Sequence, residues 1–200
     1  MADLHKRDLH GDPFSVFRRW FEAAEQSGEP MANAMTLATA SADGMPSARM
    51  VLLKGIDDRG FLFYTNYESR KAQDLLANPR AALVFWWQIQ RRQVRIGGSV
   101  EKISEAESLA YFQSRPRTSQ LGAWTSPQSK EIPGRNYLLK KFSEMERRFG
   151  EDPIPCPQFW GGYRLIPDRF EFWQENESRL HDRFELLPED KTWRIRRLGP

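Results

Sequence analysis

Residues 49–71 concentrate the side-chain types that bind phosphate. Four cations, Arg49, Lys54, Arg70 and Lys71, lie near hydroxyl-bearing side chains at two predicted strand ends. Arginine offers paired hydrogen bonds to phosphate oxygens, while lysine supplies a compact charge. Ser69 is placed to cap a short helix, and a helix N-terminus attracts anions. The pattern predicts a site for a phosphorylated, planar ligand, although composition alone leaves open a hairpin with ordinary solvated charges.

Two more polar groups lie farther along the chain. The second group is Tyr111, Arg115 and Ser119, and the third is Arg179, His181 and Arg183. Two phosphate-suited clusters are enough for two phosphorylated ligands, one of them a cofactor. Alternation along a predicted strand over residues 179–184 puts the third group on one face. Two guanidinium groups and an imidazole are costly to bury without an anionic or electron-rich partner, and an exposed polar face is the alternative.

The elements that must position these groups follow from hydrophobic periodicity and turn residues. Helices are predicted over residues 12–28, 70–77, 104–115 and 135–149. Strands 49–54 and 61–67 are predicted to form a hairpin, and residues 117–129 a loop. Gly97 and Gly98 indicate a bulge or close backbone approach, and Pro167-Asp168 a turn between two strands. About seven strands with inserted helices indicate a small mixed barrel of class α+β.

Length and composition favour one domain. The 200 residues are 40% hydrophobic and 28% charged, as in soluble globular proteins. We expect a mobile N-terminal arm over residues 1–11 and a single domain over residues 12–200. A charged N-terminus and the lack of a long apolar run predict neither a signal peptide nor a membrane span. The single cysteine, Cys156, fits a reducing compartment, and we expect a cytoplasmic protein.

Several function classes lack their residues. The three histidines and the single cysteine are too scattered for a metal site. Glycine-rich dinucleotide, P-loop and nucleophile-elbow motifs do not occur in the sequence. The net charge of +3 suits anionic small molecules as well as nucleic acid. Nucleic acid is the least favoured partner, because 27 acidic residues offset the basic ones and no binding motif is present.

Short stretches in a fixed order carry a family resemblance. They are RMVLLK at 49–54, FYTN at 63–66, SRK at 69–71, RQV at 92–94, YF at 111–112, SRPR at 114–117, SQ at 119–120, GAW at 122–124, QS at 128–129, FWGG at 159–162, FWQ at 172–174 and RLHDR at 179–183. In this combination the sequence resembles the pyridoxine (pyridoxamine) 5′-phosphate oxidase family over residues 8–200. No single tripeptide is specific, but the ordered set is.

The resemblance implies an FMN-binding split β-barrel that forms a homodimer with FMN at the subunit interface. By matching position, the implied FMN-binding residues are Arg49, Met50, Val51, Leu52, Leu53, Lys54, Tyr64, Thr65, Ser69, Arg70, Lys71, Gln93, Gln128, Ser129, Trp173 and Arg183. The implied substrate-binding residues are Lys54, Tyr111, Arg115, Ser119, Arg179 and His181. Of these, Arg179 and His181 are the implied catalytic residues at the pyridine ring, and several FMN contacts come from the other subunit.

The implied reaction oxidises pyridoxamine 5′-phosphate or pyridoxine 5′-phosphate to pyridoxal 5′-phosphate. A hydride passes from C4′ of the substrate to N5 of the flavin, and O2 reoxidises the flavin and gives H2O2. The protein mainly orients the two rings. Because guanidinium groups do not deprotonate in proteins, we expect Arg179 to act through electrostatics and ring contact rather than as a base.

Two other functions remain open at this point. Another FMN-dependent split-barrel oxidoreductase would keep the flavin cluster but would not need Arg115, Arg179 and His181. A non-catalytic carrier of FMN or pyridoxal 5′-phosphate would bind without turnover. Reduction of bound flavin by the substrate separates the oxidase from both.

Overall fold

Five α-helices and nine β-strands are present within residues 3–200, which the computed structural model describes. The helices are α1 (Pro13–Gln26), α2 (Arg70–Ala77), α3 (Glu105–Ser114), α4 (Arg117–Thr125) and α5 (Arg135–Phe149). The strands are β1 (Ala34–Ala40), β2 (Pro46–Leu52), β3 (Gly55–Ile56), β4 (Phe61–Asn66), β5 (Arg80–Trp87), β6 (Arg92–Lys102), β7 (Trp160–Gln174), β8 (Asp182–Glu189) and β9 (Thr192–Leu198). Helices inserted between the strands of one sheet confirm the predicted α+β class.

Helices α1 and α3 begin at the capping residues that the sequence indicates. The carboxylate of Asp12 accepts hydrogen bonds from the N–H groups of Phe14 and Ser15, and Pro13 occupies the first helical position. Ser104 and Glu107 form the predicted capping box of α3. Both helices therefore start where the local sequence predicts.

One antiparallel sheet runs through the whole fold. Its strand order is β2-β1-β5-β6-β7-β4-β3, with β8 next to β7 and β9 next to β8. Strand β7 has 15 residues, and β6 pairs along one of its edges. On the other edge β4 pairs with the first part of β7 and β8 with the last part. The two ends of β7 therefore belong to different parts of the sheet.

The turn predicted at Pro167-Asp168 is wrong, because β7 continues through both residues. The ladder between β6 and β7 shifts register between Gly97 and Gly98, and Gly98 pairs with Pro167. A Cβ atom on Gly98 would lie 2.0 Å from the carbonyl oxygen of Ile166, so only glycine fits there. The predicted bulge is confirmed, and it accommodates a proline that cannot donate a ladder hydrogen bond.

The hairpin predicted between residues 49–54 and 61–67 is also wrong in its pairing. Strand β2 pairs with β1 along its whole length, and only the two residues of β3 pair with β4. Residues 41–44 close the β1–β2 hairpin, with Gly44 at a φ of 84°. The end of β2 still reaches β4, since the N–H of Lys54 donates to the carbonyl of Leu62 at 2.9 Å.

The predicted loop of residues 117–129 contains helix α4. Its hydroxyl and glycine residues hide the helical pattern, but Leu121 and Thr125 lie on one helix face and are buried. The side-chain amide of Gln120 donates to the carbonyls of Phe112 (3.2 Å) and Arg115 (3.0 Å) at the end of α3. The carbonyl of Phe112 also accepts the N–H of Arg115 at 3.2 Å, so the Gln120 amide adds a second donor there. Both side-chain bonds join α4 to α3.

Two apolar clusters hold the layers together. In the larger one, Phe17 of α1 is fully buried, and its ring lies 4.9 Å from the rings of both Phe61 and Phe85. The smaller cluster comprises Phe112, Leu121, Phe149, Ile154 and Trp160. It packs helices α3, α4 and α5 against the start of β7, which is where the candidate site lies.

The N-terminal segment lies against the C-terminal strands. Leu4 and Leu9 are buried, and the N–H of Leu4 donates to the carboxylate of Asp182 at 3.0 Å. Mobility of the predicted arm over residues 1–11 stays a prediction, and residues 1 and 2 lie outside the described residues. Within residues 3–200, no helix has the length and apolar character needed to cross a membrane.

Candidate functional site

A cleft of about 500 Å³ opens where β2 and β4 approach α3 and α4. It brings together the two groups of residues that were expected to bind phosphate. Predicted site residues on its wall are Arg49, Met50, Val51, Leu52, Lys54, Tyr64, Thr65, Lys71, Tyr111, Arg115, Ser119 and Gln128. Pro116 and Trp160 complete the lining, and the sequence analysis assigned neither of them to a site.

Lys71 is the most desolvated lysine of the cleft. Its Nζ atom lies 2.7 Å from Oε1 of Gln128, 3.1 Å from Oγ1 of Thr65 and 3.3 Å from Oγ of Ser69. Burial, with a smaller contribution from the charge of Arg49, lowers the pKa of Lys71 to about 8. Within residues 3–200 no carboxylate forms an ion pair with it. An anionic ligand would stabilise the charged form of this lysine and raise its pKa.

Arg49 is anchored on the inner side of the same cleft. Its guanidinium donates to the carbonyl of Leu37 (3.1 Å), to the hydroxyl of Thr39 (2.8 Å) and to the hydroxyl of Ser47 (2.6 Å). The buried carboxylate of Asp74 lies 3.8 Å away and also accepts a hydrogen bond from Thr39 at 2.7 Å. Burial lowers the pKa of Arg49, and Asp74 opposes that shift. No local sequence signal linked Asp74 to this site.

Stacked aromatic rings form the opposite wall. The rings of Tyr64 and Tyr111 lie 3.8 Å apart, and Tyr64 also stacks on Trp160 at 5.5 Å. The guanidinium of Arg115 lies 4.6 Å from the centre of the Trp160 ring. Burial lowers the pKa of Arg115. Its Nη1 atom is buried and has no hydrogen-bond partner among residues 3–200.

Four predicted residues are chain neighbours of the lining without being part of it. Leu53 is buried, and Ser129 is exposed with a φ of 68°. Ser69 is the N-cap residue of α2, but its hydroxyl donates to the carbonyl of Asn66 (2.7 Å) instead of capping the helix. Arg70 is exposed, and its charge contributes to the lowered pKa of Arg49.

The remaining predicted residues lie at the far end of β7. Gln93 pairs with Trp173 across β6 and β7, and Trp173 pairs with Arg183 across β7 and β8. Trp160 begins β7 and Trp173 lies near its end. The two are on the order of 40 Å apart along an extended strand. The structure therefore divides the predicted site into two parts of one chain.

Arg179 and His181 belong to that far end, but not to a strand. The predicted strand over residues 179–184 is wrong, because β8 begins at Asp182. Ser178 and Arg179 have φ values of 54° and 61°, a left-handed conformation that is unfavourable for residues with a side chain. Arg179, His181 and Arg183 therefore do not share one strand face.

Two of these side chains have defined partners. Nδ1 of His181 accepts a hydrogen bond from the N–H of Asn176 (3.2 Å), and its ring lies 4.7 Å from that of Trp173. In the neutral imidazole the proton is then on Nε2. Arg183 donates twice to the buried carboxylate of Glu171, at 3.1 and 3.2 Å.

The donor set of the cleft fits a phosphorylated, planar ligand. Four cations line it, and no carboxylate side chain of residues 3–200 does. Arg115 lines the cleft, and its buried Nη1 atom has no partner among residues 3–200, whereas such donors normally have one. Met50, Val51 and Leu52 add apolar side chains to the lining, which offer a surface for a ring.

A curled antiparallel barrel with such a cleft defines the class of FMN-binding split-barrel proteins. The family model described as pyridoxamine 5′-phosphate oxidase matches residues 21–149. A second, described as the pyridoxine 5′-phosphate oxidase C-terminal dimerisation region, matches residues 160–200. The chain belongs to the pyridoxamine 5′-phosphate oxidase family, and its cofactor is FMN.

Individual relatives agree with this assignment. The pyridoxine/pyridoxamine 5′-phosphate oxidase of Cupriavidus pinatubonensis is 55% identical over 201 residues, which cover 100% of this chain and 94% of the relative. The enzyme of the same name from Acaryochloris marina is 54% identical, with 98% and 90% covered. These matches confirm the predicted family, enzyme class and cofactor.

Solved structures agree on the fold. PhzG from Burkholderia lata, in complex with tetrahydrophenazine-1-carboxylic acid, superposes with a TM-score of 0.92 at 28% identity, covering 100% of this chain and 99% of that chain. A pyridoxamine 5′-phosphate oxidase-related, FMN-binding protein from Nostoc punctiforme has a TM-score of 0.75 at 19% identity, covering 95% and 99%. The predicted split barrel is confirmed.

Proposed function

We propose that the protein oxidises pyridoxamine 5′-phosphate and pyridoxine 5′-phosphate to pyridoxal 5′-phosphate, with O2 as the electron acceptor. The observation that carries the proposal is the single cleft in which two cationic ends flank apolar and aromatic side chains. Cofactor and substrate each combine one phosphate with one planar ring, so two anion sites joined by a ring-binding surface suit this pair. The 55% identity to an oxidase of this name supports the choice of substrate.

The Lys71 end of the cleft is proposed to bind FMN. Arg70 and Lys71, with Ser69, hold its phosphate. The segment of residues 49–54 lines the flavin together with Tyr64, Thr65, Gln128 and Ser129. The lowered pKa of Lys71 supports this assignment, because a desolvated ammonium without a carboxylate partner gains from a phosphate.

The Arg115 end is proposed to bind the phosphate of the substrate. Arg115 supplies the guanidinium, and Lys54, Tyr111 and Ser119 supply further donors. All four line the cleft, and Arg115 retains a buried donor without a partner among residues 3–200. A guanidinium that lines the cleft and has no carboxylate partner among these residues gains charge-assisted hydrogen bonds from an anion, which favours phosphorylated over unphosphorylated substrates.

The site is completed by a second copy of the chain. We propose a homodimer in which Gln93, Trp173 and Arg183 of one subunit meet the FMN of the other. The subunit that supplies these three residues also supplies Arg179 and His181, which face the substrate bound next to that FMN. Two observations support this: these residues lie at the opposite end of β7 from the cleft, and residues 160–200 match a dimerisation region.

In this arrangement the protein groups bind and orient. Bound FMN, held by Arg70, Lys71 and the lining residues, would supply the redox chemistry: the two-electron oxidation of the substrate at C4′, with O2 as the final acceptor and H2O2 as its product. Arg179 keeps its proton and acts by charge and ring contact. His181 presents its Nε2 proton as a donor to the substituent on C4′. The amine substrate yields an imine that water hydrolyses to the aldehyde and ammonia, and the alcohol yields the aldehyde directly.

A second candidate is an oxidase for another ring system. The TM-score of 0.92 to PhzG, solved with tetrahydrophenazine-1-carboxylic acid, indicates that this fold accommodates a tricyclic ligand with a carboxylate in place of a phosphate. Such a carboxylate would also pair with Arg115, so the preference for a phosphorylated substrate is supported by the 55% identity to a pyridoxine/pyridoxamine 5′-phosphate oxidase, against 28% to PhzG. A carrier of FMN or pyridoxal 5′-phosphate would also use the cleft, but it would not reduce flavin.

The test is anaerobic mixing of the FMN-loaded protein with pyridoxamine 5′-phosphate while flavin absorbance is followed. We expect bleaching, recovery of the colour in air and formation of pyridoxal 5′-phosphate. A flavin that stays oxidised with substrate bound would identify a carrier. Absence of substrate binding would favour another split-barrel oxidoreductase. Arg179→Met and His181→Asn variants, loaded with FMN to the same extent, should bind substrate but reduce flavin more slowly.

A cytoplasmic location is also part of the proposal. Cys156 is the only cysteine of the sequence, so the chain has no internal disulfide. Free cysteine is the usual state in a reducing compartment. Cell fractionation followed by detection of the protein tests the location.

A further inference from the structure

Arg115 is a desolvated cation whose only close support in the described chain is aromatic. Its guanidinium lies 4.6 Å from the centre of the Trp160 ring and 5.6 Å from that of Phe112. Among residues 3–200 no carboxylate forms an ion pair with it, and its buried Nη1 donates to nothing. A guanidinium that contacts only aromatic faces uses none of its N–H donors on partners within the described chain.

Trp160 is itself held rigidly. It is 8% exposed, its ring is stacked 5.5 Å from that of Tyr64, and the ring of Phe112 meets it edge-on at 5.2 Å. Tyr64 in turn stacks on Tyr111 at 3.8 Å. The plane on which Arg115 rests is therefore set by packing within the subunit, independently of any ligand.

We propose that Trp160 is a positioning residue for the substrate's phosphate: its ring face orients Arg115 and supports the charge without neutralising it. This inference rests on the proposed function, in which Arg115 binds that phosphate. A carboxylate in the place of Trp160 would hold Arg115 equally well, but it would compete with the phosphate for the same donors. An aromatic face avoids that competition, because it leaves the N–H groups free.

The test compares Trp160→Leu and Trp160→Phe at equal FMN content. Removing the aromatic face should raise the KM for pyridoxamine 5′-phosphate and the inhibition constant of inorganic phosphate by about tenfold. Because the reacting C4′ end is untouched, kcat should change less than about twofold. Phenylalanine retains a ring face and should restore both constants to within about threefold of the parent.

A matched control is a tryptophan that packs against the same apolar cluster. Trp124 of α4 packs against Phe149, and the guanidinium of Arg148 lies 5.3 Å from its ring. Trp124 is not part of the cleft lining. Trp124→Leu therefore removes an equal side chain and a comparable cation–aromatic contact, and it should leave the KM and the phosphate inhibition constant unchanged.

A double-mutant cycle with Arg115→Ala decides whether Trp160 acts through Arg115. Once Arg115 is absent, Trp160→Leu should not weaken phosphate inhibition further. Additive losses, or a tenfold rise in KM for Trp124→Leu as well, would overturn the proposal in favour of general destabilisation. If the parent protein does not oxidise pyridoxamine 5′-phosphate, the proposed function fails. The cycle is then read from equilibrium binding of inorganic phosphate alone, which still supports or contradicts the role of Trp160.

Discussion

Helix α3 lies between two arginines with opposite surroundings, Arg164, which is buried, and Arg115, which is half-buried. At its N-terminal end Arg164, whose side chain is 1% exposed, contacts three carboxylates: Asp57 at 2.7 Å, Glu107 at 3.0 Å and Glu101 at 3.4 Å. Just beyond its C-terminal end Arg115 contacts an aromatic face and, within residues 3–200, no carboxylate. Both regions contain an arginine withdrawn from solvent. Carboxylates balance its charge in the first region, and no carboxylate of residues 3–200 does so in the second.

The pKa directions follow these surroundings. Burial alone would lower the pKa of Arg164, but hydrogen bonds with Glu107 and Asp57 outweigh it and raise the pKa. Burial lowers the pKa of Arg115, and the smaller opposing contributions of Tyr111 and Cys156 do not offset it. Hydrogen bonds from the hydroxyl and N–H of Ser104, and then from Arg164, lower the pKa of Glu107 to about 2.

The difference indicates how to separate structural from ligand-binding charges in this fold. The charge of a buried cation surrounded by carboxylates is balanced within the chain, so replacing that cation lowers the free energy of unfolding. A buried cation without a counter-charge destabilises the unliganded chain, and it is explained only by an anion that arrives later. Lys71 resembles Arg115, because it too is desolvated and has no carboxylate partner among residues 3–200.

Replacing Arg164 is expected to have the largest effect. Arg164→Met removes a buried cation that contacts three carboxylates, of which Asp57 and Glu107 keep the exposed Arg59 as a partner, and it should lower the free energy of unfolding by about 3 kcal/mol. Urea unfolding of the FMN-free protein at fixed protein concentration measures this. A loss below about 1 kcal/mol would mean that the carboxylates relax into solvent and that Arg164 is not structural.

Replacing Arg115 should weaken substrate binding without lowering the free energy of unfolding, which is the opposite of the effect expected for Arg164. Arg115→Leu removes the charge-assisted hydrogen bond proposed for the substrate's phosphate and should raise the KM for pyridoxamine 5′-phosphate by about 30-fold. The free energy of unfolding should stay equal or increase, because an uncompensated charge is gone. Arg117→Leu is the control, since Arg117 donates to the carbonyls of Gly150 and Asp152 and does not line the cleft. If Arg115→Leu markedly lowers the free energy of unfolding, Arg115 has a structural role as Arg164 does, and the contrast between the two arginines is wrong.

Sequence reasoning recognised one of these arginines and not the other. Arg115 stands out beside Tyr111 and Ser119 in a short polar stretch, and the family motif includes it. Arg164 lies in a strand, and its partners Asp57, Glu101 and Glu107 are 57 to 107 positions away along the chain. Only the pairing of β7 with β4 and β6 brings them together, and no local pattern encodes that register.

The errors in the predicted fold have the same cause: contacts between residues distant in sequence leave no local pattern. Capping residues correctly indicate α1 and α3, because caps act within one turn of helix. Pro167-Asp168 resembles a turn, yet it is a bulge in a continuous strand because Gly98 on the neighbouring strand leaves room for it. The division of the site between the cleft and the far end of β7 also depends on topology, whereas the residue types that bind phosphate were recognisable from residues 49–71.

The pH dependence of FMN binding tests whether Lys71, like Arg115, is a ligand-binding charge. Its pKa of about 8 means that the FMN-free site loses this charge above that pH, and bound phosphate should raise the pKa. The dissociation constant for FMN should therefore increase about eightfold between pH 7.5 and pH 9. The unfolded chain keeps the same proton to higher pH, so this group's contribution to the stability of the FMN-free protein rises over that interval. Lys71→Met should bind FMN weakly with a flat profile, and an equally steep profile would assign the titration to another group.

The smallest effect is expected for the most exposed partner of Arg164. Glu101 is 49% exposed and lies 3.4 Å from the guanidinium, while Asp57 and Glu107 lie closer and remain in its absence. Glu101→Gln should therefore lower the free energy of unfolding by at most about 0.5 kcal/mol, measured by the same urea titration. If it instead matches the loss in Arg164→Met, the three carboxylates act as one cooperative network. The contrast between the two ends of α3 would then lie in the number of counter-charges rather than in the presence of one good partner.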